Sequence, residues 1–155
     1  MTIRRAEEKD IGKIKDLLVQ VNNVHHRARP DLFIENRRKY NDSELLELIA
    51  NDKKPIFVAE DNNEVIGYAF CALTAHKNDN NLTDIKTLYI DDLCVDEKVR
   101  GKHVGTAIFD YVKSYAKTVG CYNITLNVWS GNESAAKFYT KCGLLPQKTT
   151  LETIL

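Results

Sequence analysis

Apolar residues recur along this chain with two periods, and the switch between them marks out its elements. Near the start, Ile11, Ile14, Leu17, Leu18 and Val21 fall at helical spacing behind Glu7, Glu8 and Asp10, acidic residues that suit the positive end of a helix. Residues 2–5 predict a short strand ahead of it, and residues 22–40, interrupted by Pro30, read as irregular. Asn41 with Glu44 three residues on is a capping-box pattern before a short helix carrying Leu45, Leu46, Leu48 and Ile49.

After Pro55 the pattern becomes strand-like. Ile56, Phe57, Val58 and Ala59 form a buried run, residues 61–64 have turn chemistry, and residues 65–73 should return as the antiparallel partner. A polar loop at 77–81 leads to a long strand at 85–95. Val104, Ala107, Ile108, Tyr111, Val112, Tyr115, Ala116 and Val119 then make one unbroken helical stripe, closed by Gly120. Residues 122–128 read as a strand, Asn132 caps a last helix with the stripe Ala135, Phe138, Tyr139 and Cys142, and Gly143 ends it. Residues 147–155 predict one more strand. Strand, helix, strand in the second half implies a parallel crossover, whereas the earlier hairpin implies antiparallel pairing. The expected fold is α/β: a mixed sheet with helices on both faces, in a single domain over residues 1–155.

Composition narrows the partners. Lysine plus arginine and aspartate plus glutamate number 22 each, so no global field holds the chain to nucleic acid or to an anionic membrane. The four cysteines (Cys71, Cys94, Cys121, Cys142) stand far apart without the C-x-x-C spacing of zinc or redox sites. Neither an apolar leader nor a membrane-length run is present, and a cytoplasmic protein with reduced thiols and no bound metal is expected.

Between the long strand and the strongest helix lie Arg100, Gly101, Lys102, His103, Val104, Gly105 and Thr106. A turn there aims unpaired backbone N–H groups at one point, assisted by the helix dipole and by two cations, which suits a diphosphate. The pattern is neither a Walker loop nor a dinucleotide fingerprint.

Asp91, Asp92, Leu93, Cys94 and Val95 followed by this loop closely resemble the central acetyl-CoA motif of the GNAT superfamily of N-acetyltransferases, with the loop pattern [RQ]-x-x-G-x-[GA]. Downstream, Asn132, Ala135, Tyr139, Gly143 and Leu144 match the second motif, N-x-x-A-x-x-x-Y-x-x-x-G-[FL]. His103 departs from the pattern, standing where the family usually has the loop's first glycine.

The resemblance implies a mostly antiparallel sheet whose one parallel strand pair splays to hold CoA. Leu93, Cys94 and Val95 would line the pantetheine arm, Arg100 to Thr106 would take the pyrophosphate, and Asn132 would help fix the cofactor. The activity implied is acetyl transfer from acetyl-CoA to a primary amine of a small molecule, amino acid or peptide, by direct attack in a ternary complex. A non-catalytic CoA sensor of the same fold is the alternative. A homodimer is compatible with the sequence.

Such a reaction needs a base for the amine and a proton for the departing sulfur. Tyr139 matches the family's general acid, although a phenol of pKa about 10 is a weaker acid than a thiol of about 8.5, so hydrogen bonding to the sulfur describes its part better. Asp91 is the chosen base over Asp92 or water; in a regular strand it shares the face of Leu93 and Val95, whereas a bulge would reverse that. Asp92 is retained as an acceptor-side residue. Cys94 lacks any neighbour that would activate a thiolate. His25, Arg29 and Phe33 are expected on the acceptor wall, where a local basic surplus favours an acceptor bearing a carboxylate.

Overall fold

The computed structural model describes all 155 residues. Strand β1 (Thr2–Arg5) leads through a single 3-10 turn into helix α1 (Ile11–Ala28), then α2 (Asp42–Ile49), β2 (Ile56–Asp61), β3 (Glu64–Ala75), β4 (Lys86–Val95), α3 (Val104–Thr118), β5 (Asn123–Leu126) and α4 (Glu133–Lys141). The five strands lie in sequence order, antiparallel except for the β4–β5 pair, which α3 joins as a parallel crossover.

Alternation along the strands divides the apolar residues between two cores. Phe57, Ala59, Ala69, Cys71, Leu88 and Ile90 face α3, which covers them with Val104, Ile108, Phe109, Val112 and Ala116. Ile56, Val58, Tyr68, Phe70 and Cys94 face the other way, against Ile14, Leu17 and Leu18 of α1 and Leu45 of α2. Each fully buried aliphatic side chain contributes roughly 1.5–3 kcal/mol, which is why the sheet holds both helical layers. The capping box at Asn41 and Glu44 forms as expected and starts α2. No helix is long and apolar enough to cross a membrane.

Three elements differ from the sequence reading. Helix α1 runs on to Ala28, so His25 and His26 are helical and the irregular segment begins only at Arg29; no proline intervenes before Pro30, and the helix persists until it. Strand β5 stops at Leu126 rather than 128. Residues 144–155 form no helix or strand, and Leu145, Leu151, Ile154 and Leu155 are exposed.

Candidate active site

Two interruptions in β4 build the site. The first is a bulge: Cys71 pairs with Ile90 and Phe70 with Asp92, which leaves Asp91 as a surplus residue. Asp91 and Asp92 therefore both emerge on the α1–α2 side, where Asp91 meets Lys39 and Tyr40 and Asp92 meets Tyr68. This corrects the regular-strand expectation that Asp91 shares the face of Leu93 and Val95; those two pack toward the α3 core instead. The second is a parting of strands. Pairing of β4 with β5 runs from Thr87 with Asn123 to Ile90 with Leu126 and then ends, so Leu93, Cys94 and Val95 have no β5 partner along that edge.

The turn into α3 opens beside this unpaired edge. Gly101 adopts φ +83°, and His103, the helix N-cap, sits in the left-handed region at φ 59°, ψ 20°. That conformation explains why a glycine is usual at position 103: a side chain there costs roughly 1–2 kcal/mol against right-handed backbone. His103 makes no side-chain cap bond, and the first backbone bond into the helix is Ala107 N–H to the His103 carbonyl. The amides of Val104, Gly105 and Thr106 thus lack protein acceptors. Arg100 and Lys102 have no ion-pair partner. At Gly105 a Cβ would lie 3.3 Å from Phe138 and 3.6 Å from Val95, so α3, α4 and β4 converge here. Free amides beside a bare strand edge fit a ligand that presents both a diphosphate and peptide-like amides.

The acids differ in setting. Asp91 accepts from the Lys39 ammonium at 2.7 Å and from the Tyr40 hydroxyl at 2.5 Å. Asp92 is half-buried and accepts from the Tyr68 hydroxyl at 2.6 Å; desolvation, opposed by that hydrogen bond and reinforced by the Asp91 charge, pushes its carboxyl up to about 6. Tyr139 is half-buried, its hydroxyl has no hydrogen-bond partner, and burial, reinforced by the Asp92 carboxylate, raises its pKa well above the ordinary phenol. Burial pushes the Cys94 thiol up to about 12, which removes it as a nucleophile. Asn132 caps α4, its side-chain oxygen accepting from Ala135 N–H at 3.2 Å and its amide nitrogen remaining free.

The residues expected on the acceptor wall gather in an aromatic cluster. His25 packs at 5.0 Å against Phe33 with the rings tilted by 48°, Phe33 meets Trp129 edge-on at 5.5 Å, and the Arg29 guanidinium lies 6.0 Å over the Trp129 ring. Burial, with the Lys39 charge, lowers the His25 pKa. The basic surplus inferred from sequence is partly compensated: Arg29 pairs with Asp31 and Glu152, Arg38 with Asp42, and Lys39 with Asp91, while Arg27 and Arg37 form no ion pair. A cleft of about 200 Å³ opens beside Asp91 between Tyr40, Phe70, Tyr89 and Lys54. A larger hollow, about 340 Å³, lies over Lys9, Lys13 and Glu64 and includes none of these groups. Sequence reasoning missed Lys39, Tyr40, Tyr68 and Trp129, all supplied by tertiary approach; the lone tryptophan just after a strand was the one available signal.

The family model of the acetyltransferase (GNAT) family matches residues 18–144. This chain is a GNAT family member. The BH1408 protein of Bacillus halodurans, solved as a tetramutant, is 34% identical and superimposes at a TM-score of 0.95, covering 100% of both chains. The glucosamine 6-phosphate N-acetyltransferase of Arabidopsis thaliana is 34% identical over 59 residues, 38% of this GNAT chain and 38% of that protein, so the alignment spans well under half of the curated relative. The fold is shared with an aminoglycoside N-acetyltransferase, AAC(6')-Iy, solved with CoA, at a TM-score of 0.74 and 14% identity over 99% and 98% of the two chains.

Proposed function

We propose that the chain, acting as one domain, transfers an acetyl group from acetyl-CoA to a primary amine by direct attack in a ternary complex. The observation that carries this reading is the bare Leu93 to Val95 edge of β4 beside the free amides of Val104, Gly105 and Thr106. Acetyl-CoA, when bound, supplies the activated acyl carbon.

The remaining chemistry belongs to the chain. Leu93 and Val95 offer main-chain groups to the pantetheine amides, while the loop amides, Arg100 and Lys102 hold the diphosphate. Asp92, rather than Asp91, takes the amine proton: with a pKa of about 6 it is ionised at neutral pH yet more basic than an ordinary carboxylate. Asp91, held by Lys39 and Tyr40, fixes the bulge and keeps a second negative charge near the incoming ammonium. Tyr139 stays protonated throughout the working range and donates a hydrogen bond to the departing sulfur. His25, Phe33 and Trp129 give the acceptor body a flat apolar wall. With Arg29 and Lys39 already paired, the preference for a carboxylate on the acceptor is weakened. The relatives' names make amino sugars reasonable acceptors beside amino acids and peptides.

Thiol release from acetyl-CoA, measured across amino sugars, amino acids, peptides and polyamines, tests the proposal. Turnover with at least one amine, abolished or strongly reduced in Tyr139→Phe and Asp92→Asn while CoA affinity persists, is expected. Tight CoA binding with no turnover across the panel would instead identify a sensor.

A further inference from the structure

Beside the carboxylates of the site the chain already places a primary amine of its own. Lys39 lies in the segment between α1 and α2, and its Nζ donates to Asp91 Oδ1 at 2.7 Å. Tyr40 completes the setting. Its hydroxyl donates to the other Asp91 oxygen, its ring stacks on Phe70 at 5.4 Å, and the Lys39 ammonium lies 5.5 Å from the centre of that ring. A carboxylate and an aromatic face together are what an ammonium needs from a binding site. The Lys39 charge also reaches Asp92, where it favours the ionised carboxyl, and His25, where it disfavours the protonated ring. The other lysines in ion pairs, Lys9, Lys13 and Lys15, hold acids away from the β4 bulge.

The backbone around Lys39 is fixed, whereas its tip is free to move. Arg38 donates to the Tyr40 carbonyl at 2.9 Å and to Asp42 at 2.7 Å, and Asn41 caps α2. The Lys39 side chain is 55% exposed on a flexible four-carbon stem, so its nitrogen has only to pass from Asp91 to the next residue, Asp92. Asp92 in turn borders the bare Leu93 to Val95 edge. We propose that Lys39 is a self-acetylation site, its nitrogen attacking the acyl carbon of acetyl-CoA bound to the same molecule when no external amine fills the site. The Lys39 ammonium loses one proton to water by way of the Asp91–Asp92 pair. A bond then forms from Nζ to the acyl carbon, the acyl C–S bond breaks, and a second proton from Nζ leaves with the sulfur as the free thiol. The product is a neutral amide that keeps one N–H. Tethering beside the acids gives this nitrogen an effective concentration that a lysine elsewhere on the surface lacks. The inference rests on the acetyl transfer proposed above.

Incubation of the full chain with acetyl-CoA bearing a deuterated acetyl group, followed by peptide mass spectrometry, decides it. Lys77, exposed in the loop between β3 and β4, reports the uncatalysed background. Without an acceptor, Lys39 should take the label at least ~10-fold faster than Lys77, at a rate independent of protein concentration. Tyr139→Phe should bring Lys39 down towards the Lys77 rate. Lys39→Arg, which keeps a cation beside Asp91, should remove the fast phase from the intact mass. Equal labelling of the two lysines, labelling indifferent to Tyr139→Phe, or a rate that climbs with protein concentration would overturn the inference. Transfer to external amines with Lys39 unlabelled would overturn it alone and leave the acetyltransferase reading standing; no transfer to either would overturn both.

Discussion

At position 103 a histidine occupies backbone that favours glycine, and its neighbours show how little the side chain is asked to do. The loop uses main-chain amides, so the residue matters through φ alone. His103→Gly should leave thermal stability equal or raise it by up to about 1 kcal/mol, the relieved strain being partly offset by the freer unfolded chain. His103→Val should lower it by at least ~1 kcal/mol, since a β-branched residue fits this region worst. Melting curves of the two variants check the contrast. For Tyr139, Phe substitution is expected to lower kcat by about 10²-fold or more while changing the KM for acetyl-CoA little, because the phenol acts on the leaving group rather than on the anchoring phosphates. Asp92 gives a pH signature. Its folded pKa of about 6 means that it becomes a competent base only as pH rises through that value. The acidic limb of kcat/KM should show that transition in the wild type and lose it in Asp92→Asn. The same shift has a stability sign: a carboxyl that binds its proton more tightly when folded favours folding at low pH, and that contribution disappears as pH climbs from about 4 to about 6.

Helices and strands were legible wherever period and punctuation agreed. The stripe from Val104 to Ala116, the capping box at Asn41 and the glycines closing α3 and α4 all appear where the pattern puts them. What escaped the sequence depended on pairing. Whether residues 127–128 continue β5 turns on where β4 parts from it, and the faces of Asp91 and Asp92 turn on a bulge that no local propensity encodes. The candidate cofactor residues, being contiguous, were readable as a motif. Lys39 and Tyr40, distant in sequence from the acids they hold, were not. One contact ties the elements to the site. At Gly67 in β3 an added Cβ would meet the Cys94 carbonyl and Ile108 Cδ1, each at 2.9 Å. Gly67→Ala should therefore cost about 1–3 kcal/mol by pushing β4 and α3 apart. Loss of CoA affinity should accompany it, measurable by calorimetry on the folded fraction, because moving Cys94 shifts the main chain of its neighbours Leu93 and Val95, which forms the bare edge.

Across the whole molecule, buried ion pairs fasten α1 to the sheet. Asp96 at the end of β4 accepts from Lys13 at 2.7 Å and from Gln20 at 3.4 Å, and Arg4 chelates Asp10 at 2.8 and 2.9 Å. Burial alone would raise both carboxyls, but these bonds hold them below the ordinary carboxylate range. Stability from these groups is thus present above about pH 4 and lost as pH falls through the depressed values. The urea midpoint should drop between pH 6 and pH 3, and less so in Asp96→Asn. The surplus residue of β4 has a different reach. Removing Asp91 altogether would let Ile90 and Asp92 follow one another in step with Cys71 and Phe70, with every other side chain keeping its side of the sheet. Such a shortened protein should fold at least as readily by circular dichroism, its straightened strand free to zip further along its parallel neighbour. It should also release no thiol, for a seam that closes leaves nowhere for a guest strand to lie.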